Sequence, residues 1–164
     1  MTSWNITLAF APRFKTKNSF ASSNTFNALL IAGVLGGVAE ILWVALYAQL
    51  SPVDATEVAR QITASVIPAM ADAAFAPWLG VAIHLVLSIL LAFVFGALIW
   101  QPLTRQHAPK YTAAAAALFL IFVWTINFFV VLPRLNPVFV NLMPYSVTFF
   151  SKLLFGLAAG AWLY

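Results

Sequence analysis

From residue 26 to residue 50 the chain is built almost entirely of aliphatic, aromatic and glycine residues, and it carries a single formal charge, Glu40. A run of that length reads as a helix crossing the ~30 Å hydrocarbon core of a bilayer, which takes about twenty apolar residues. A carboxylate near the middle of such a helix costs at least ~2.5 kcal/mol on insertion scales, so it is expected to meet a partner inside a bundle or to line a polar path.

Three further apolar runs follow, at 77–100, 111–132 and 145–164. The sequence is 63% hydrophobic and only 7% charged, against about 25% charged in soluble domains. The expectation is an all-α integral membrane protein: a four-span transmembrane helical bundle over 26–164, preceded by a basic cytoplasmic tail over 1–25. That tail holds Arg13, Lys15 and Lys17, and the first run then reads as a retained signal anchor. The absence of cysteine excludes disulfides, thiolate metal sites, iron–sulfur clusters and thiol catalysis. The net charge of +4 sits mainly at the ends of the spans, where it reads as topology, and nucleic acid is not an expected partner.

The connections carry their own signals. Ser51-Pro52-Val53-Asp54 predicts a short interfacial amphipathic helix between spans 1 and 2, at about 52–67. Ser51 is its expected cap, Pro52 its first residue, and Asp54 complements its dipole. Val58, Ile62 and Val66 recur every four residues on one face, and Pro68 stops the pattern. Pro133, Pro137 and Pro144 are expected to end the third span at Leu132 and to leave 138–143 as a shallow apolar piece. Arg13, Lys15, Lys17, Arg105 and Lys110 fall on one side. Arg60 and Arg134 fall on the other, with Asp54, Glu57 and Asp72 beside them, so both termini are expected inside, in a bacterial inner membrane.

The four spans each carry one strongly polar residue. At a rise of about 1.5 Å per residue, Glu40 lies roughly 15 Å below the outer end of its span, His84 roughly 10 Å, Asn127 roughly 8 Å and Lys152 roughly 11 Å. These overlapping depths predict one buried cluster with Lys152 as the counter-ion of Glu40. Gly33 and Gly37 in the first span, and Gly156 and Gly160 in the fourth, form small-xxx-small faces. They are expected to pack on each other and so to bring acid and base together. Ser88, Trp124 and Thr148, each one turn from a cluster member, extend it, and Trp43 and Tyr47 share the Glu40 face.

The chain lacks a G-x-S-x-G elbow, a phosphate-binding glycine loop and an H-E-x-x-H motif, so no catalytic residue and no metal-ligand set is assigned. Haem ligation through His84 is disfavoured, since the only other histidine, His107, falls in an inner loop, and no cofactor is expected. The Glu40–Lys152 pair reads as mainly structural, His84 as a neutral imidazole bonded to Asn127, Ser88 or a carbonyl, and Asn127 as interhelical glue. Because four thin helices are expected to enclose little volume, the first functional expectation is a non-enzymatic accessory or structural subunit of a larger membrane complex. Its partners would be the lipid bilayer and other membrane subunits, or further copies of itself. The alternative is a proton-coupled transporter of a small solute, acting as a homo-oligomer through Glu40. For cations Lys152 counts against it, because a fixed positive charge beside the acid repels them.

Overall fold

A computed structural model of the chain describes residues 23–106 and 108–164. The first part of the expected tail, with Arg13, Lys15 and Lys17, and His107 lie outside the described residues. Within them the structure is helical, with no strand. The elements are α1 (Ser23–Gln49), α2 (Ala55–Val66), α3 (Ala76–Arg105), α4 (Pro109–Leu135), α5 (Pro137–Leu142) and α6 (Tyr145–Trp162). Three of them, α1, α3 and α4, are long and apolar enough to cross a membrane.

Both α3 and α4 run past the points where their apolar runs were expected to stop, and proline explains how. A proline ring clashes with the carbonyl four residues earlier and lacks an N–H, so a helix that continues through it must widen locally. Ahead of Pro102, residues Gly96–Trp100 form a π turn in which the Gln101 N–H reaches the Gly96 carbonyl. Ahead of Pro133, residues Asn127–Val131 do the same, the Leu132 N–H reaching the Asn127 carbonyl. The Arg134 guanidinium then donates to the Val130 carbonyl at 2.8 Å. Proline thus bulges both helices, and at Pro133 it does so where the sequence reading had it end the span. The piece at 138–143 is correspondingly short but ordered, as α5.

The start of α2 also differs from expectation. Ser51 accepts from the Val53 N–H at 3.3 Å and stays in the connection. Asp54, in an extended conformation, caps the helix by accepting from the Thr56 N–H at 2.8 Å. Pro52 therefore precedes the helix, and Asp54 rather than Ser51 satisfies its first free N–H groups.

Helix packing follows the small residues. α6 lies between α1 and α4, α1 lies between α6 and α3, and α2 leans on α3. The glycine pairs do not face one another as expected. A Cβ on Gly33 would fall 2.6 Å from the Ile89 Cα, and one on Gly37 2.8 Å from the Ser88 Oγ, so that face of α1 seats α3. Cβ atoms on Gly156 and Gly160 would each fall 2.5 Å from a backbone Cα of α4, at Ala117 and Ala113. The alanine run at 113–117 is itself a thin surface, so the glycine face of α6 approaches closest there. Contact between α1 and α6 passes instead through Gly36, whose missing side chain makes room for the Phe155 ring.

Two apolar clusters result. Leu29, Ala92, Phe95, Leu120, Phe155 and Leu163 fill the end that holds the start of α1 and the end of α6. Val58, Met143 and Val147 fill the opposite end, under α2 and α5, with Trp43, Tyr47 and Phe139 packed against them. α3 and α4 meet at the first end through the Phe95 and Phe119 rings, 5.7 Å apart, and they are not among the helix pairs with extensive backbone packing. The polar residues lie between the two clusters. Gly156→Val should lower the thermal midpoint of the detergent-solubilised protein by the equivalent of ~1–3 kcal/mol. Ala161→Val, on the exposed side of the same helix, should stay within about 0.5 kcal/mol of wild type.

Candidate functional site

The site is built on Glu40, which is buried on α1. Lys152 on α6 reaches it with Nζ 2.5 Å from Oε1 and 2.7 Å from Oε2. Ser151 donates to Oε1 at 3.0 Å, its hydroxyl also lying 2.7 Å from the Thr148 carbonyl. From α3, the His84 Nε2 stands 3.8 Å from Oε2 and 3.4 Å from the Gly37 carbonyl. Glu40 thus lies among groups from two neighbouring helices, and its oxygens are largely occupied. A buried charge is tolerated on these terms: an opposite charge in contact, and further donors for the remaining lone pairs.

The surrounding polar groups bond to backbone or to one another. Ser88 donates to the His84 carbonyl at 2.8 Å, with its oxygen 3.5 Å from Nε2. Trp124 donates from Nε1 to the Thr148 Oγ1 at 3.0 Å, tying α4 to α6. Trp43 donates to the Val147 carbonyl at 3.0 Å and packs, with Tyr47, in the cluster beneath α2.

Asn127 departs from its expected role as glue. It sits at the start of the π turn in α4, and among the described residues its amide has no hydrogen-bond partner. It lines a cavity of about 650 Å³ that it shares with Glu40, His84, Ser88, Thr148, Ser151 and Lys152. The remaining walls are mostly apolar and come from α1 to α5, including Val44, Ile62, Val81, Val123, Phe128 and Phe139. The expectation that the bundle encloses little volume is therefore corrected. α3 and α4 diverge from their short connection, and the room between them is not filled by side chains.

Two residues central to this arrangement carried weak sequence signals. Ser151 completes the i, i+3, i+4 face of Thr148, Ser151 and Lys152, and helical spacing alone could have found it. Asn136 could not have been found that way, because it lies between two prolines in a connection. It is nonetheless buried and accepts from the Phe139 N–H at 3.1 Å as the cap of α5. Its Nδ2 has three acceptors on α2: the Gln61 carbonyl at 3.0 Å, the Gln61 Oε1 at 2.9 Å and the Ser65 Oγ at 3.0 Å. α2 is further held to the start of α3 by the Thr63 hydroxyl, which donates to the Ala76 carbonyl at 2.6 Å. α2 and α5 thus form a clamped roof over the cavity.

Among the described residues no three His, Cys, Asp or Glu side chains come together as a metal site. In comparisons with family models, with curated proteins and with solved structures, nothing matches this chain. Its chemistry is read from its own geometry: an electroneutral ion pair in the wall of a mainly apolar chamber. Glu40→Gln and Lys152→Met should each reduce the yield of folded protein, since each strands a buried charge at a cost of ~3–5 kcal/mol. The double variant should recover much of it, and recovery is read as the monodisperse fraction after detergent extraction.

Proposed function

We propose that this chain is a small, non-enzymatic, four-span membrane protein that binds a small solute inside its helical bundle. The observation that carries the reading is the cavity of about 650 Å³ with the Glu40–Lys152 pair in its wall. That volume lies within the ~300–1,000 Å³ of ordinary ligand sites, and an apolar chamber with a few convergent polar groups is their usual form. Intramembrane ionisable residues gathered at such a chamber favour a functional role over helix gluing alone.

α6 serves as the fourth span in this reading. At 18 residues it is roughly 27 Å long, and it runs between α1 and α4 with Lys152 turned to the interior pair. Exposed Leu42, Leu98, Leu118 and Phe122 supply an outer surface suited to lipid. α2 carries Glu57, Arg60 and Gln61 along with the buried Val58 and Thr63, a mixture suited to the membrane interface. With Arg105 and Lys110 at the opposite end from α2, both termini face the cytoplasm.

The accessory-subunit reading keeps one observation of its own, the self-sufficiency of the ion pair, which needs no ligand to satisfy it. The two readings part in native mass spectrometry of protein released gently from its own membrane. A small molecule should remain with the wild-type chain and be lost from Ala45→Phe, which fills the cavity from α1. Stoichiometric retention of other polypeptides, with no small molecule, would favour the accessory role, and a bare chain in both samples would count against binding.

A further inference from the structure

The cavity has a mouth, and its rim is apolar. Leu87 on α3, Ile126 on α4 and Leu135 at the end of α4 all line the chamber, and they are 43%, 41% and 63% exposed. The chamber therefore opens sideways between α3 and α4. The Asn136 clamp ties α2 to α5, and Val66 at the end of α2, also exposed and lining the chamber, adds to the apolar rim. In a bilayer the rim residues face hydrocarbon, so a ligand that passes them arrives from the lipid phase.

The polar end of the chamber narrows the chemistry further. The carboxylate oxygens of Glu40 already accept from Lys152 and Ser151, so few lone pairs remain for a donor. Unused capacity lies on the donor side. Among the described residues, Lys152 has three N–H groups and only the two Glu40 oxygens in contact with its Nζ, and the Asn127 amide has no hydrogen-bond partner. A cationic head would meet the Lys152 ammonium and an acid that is already paired. An anionic head would add a second negative charge beside Glu40 without a new counter-charge, and an uncompensated charge at low dielectric costs several kcal/mol. A neutral head with hydroxyl or carbonyl oxygens accepts from Lys152 and Asn127 and leaves the charge balance intact. Val44, Ile62, Val123 and Phe128 then offer walls suited to a hydrocarbon chain.

We infer that the occupant is a neutral single-chain amphiphile that enters from the bilayer between α3 and α4, its hydroxyl- or carbonyl-bearing head on Lys152 and Asn127 and its chain along the apolar walls. This rests on the binding role proposed above. The test uses the full chain in phosphatidylcholine vesicles, photolabelled with a monoacylglycerol carrying a diazirine in its chain. Unlabelled monoacylglycerol, fatty acid and alkylamine of equal chain length serve as competitors. Saturable labelling is expected on the α3 and α4 peptides containing Leu87 and Ile126, with the neutral competitor at least about tenfold more effective than either charged one. At equal amounts of folded protein, Asn127→Leu should weaken labelling about tenfold, the worth of a lost hydrogen bond of ~1.4 kcal/mol, and Asn127→Gln should restore part of it. Saturable labelling displaced equally well or better by a charged amphiphile would overturn the ligand class while leaving the binding role standing. Labelling no stronger than in Ala45→Phe, and displaced by none of the three, would overturn both.

Discussion

A buried carboxylate in a helix long and apolar enough to cross a membrane dictates more of this structure than any single apolar contact. Glu40 cannot be left unpaired at that depth, and pairing it requires α6 to lie against α1 with Lys152 at the matching level. Once α6 is there, its glycine face is turned to α4 and the glycine face of α1 to α3. The order α4, α6, α1, α3 is thus tied to one ion pair. The partners contribute in kind: Ser151 supplies a further donor to the acid, and Gly36 admits the Phe155 ring that lets the two helices close.

The same order explains the cavity. With α6 and α1 in the middle, α3 and α4 are the outer pair, without extensive packing on each other, and meet at the Phe95–Phe119 contact. Toward the other end they diverge, and the space between them is roofed by α2 and α5. The proline-induced π turns sit on these two helices, one near each end. Such turns are frequent at functional sites because they change the direction of side chains along a helix. In α4 the turn begins at Asn127, whose amide is left facing the chamber.

The polar groups around the chamber and its roof divide by how they are satisfied. Thr63, Ser151 and Asn136 bond wholly within the fold and hold elements together. Glu40 and Lys152 satisfy one another, and Lys152 keeps a donor to spare. Asn127 has no hydrogen-bond partner among the described residues. Asn127 is half-buried and lines the chamber, so its amide is available to a ligand, and it is the residue that turns a packing description toward a binding one.

Composition and periodicity were enough to read the helical class, the three long apolar helices and the polar residue on each run, because hydrocarbon admits little else and a lone charge in it stands out. The pairing of Glu40 with Lys152 was legible for a related reason: the spans offer few groups that can balance a buried acid. The glycine argument that was to join them pointed to the wrong neighbours, since a small-residue face announces close approach without saying to which helix. Pro133 looked like a helix end, and only the surrounding contacts show that the helix bulges and continues. Asn136 and the chamber were beyond reach for the same physical reason. A clamp between distant segments and a volume left unfilled are properties of how helices diverge and meet, and neither leaves a period or a motif along the chain.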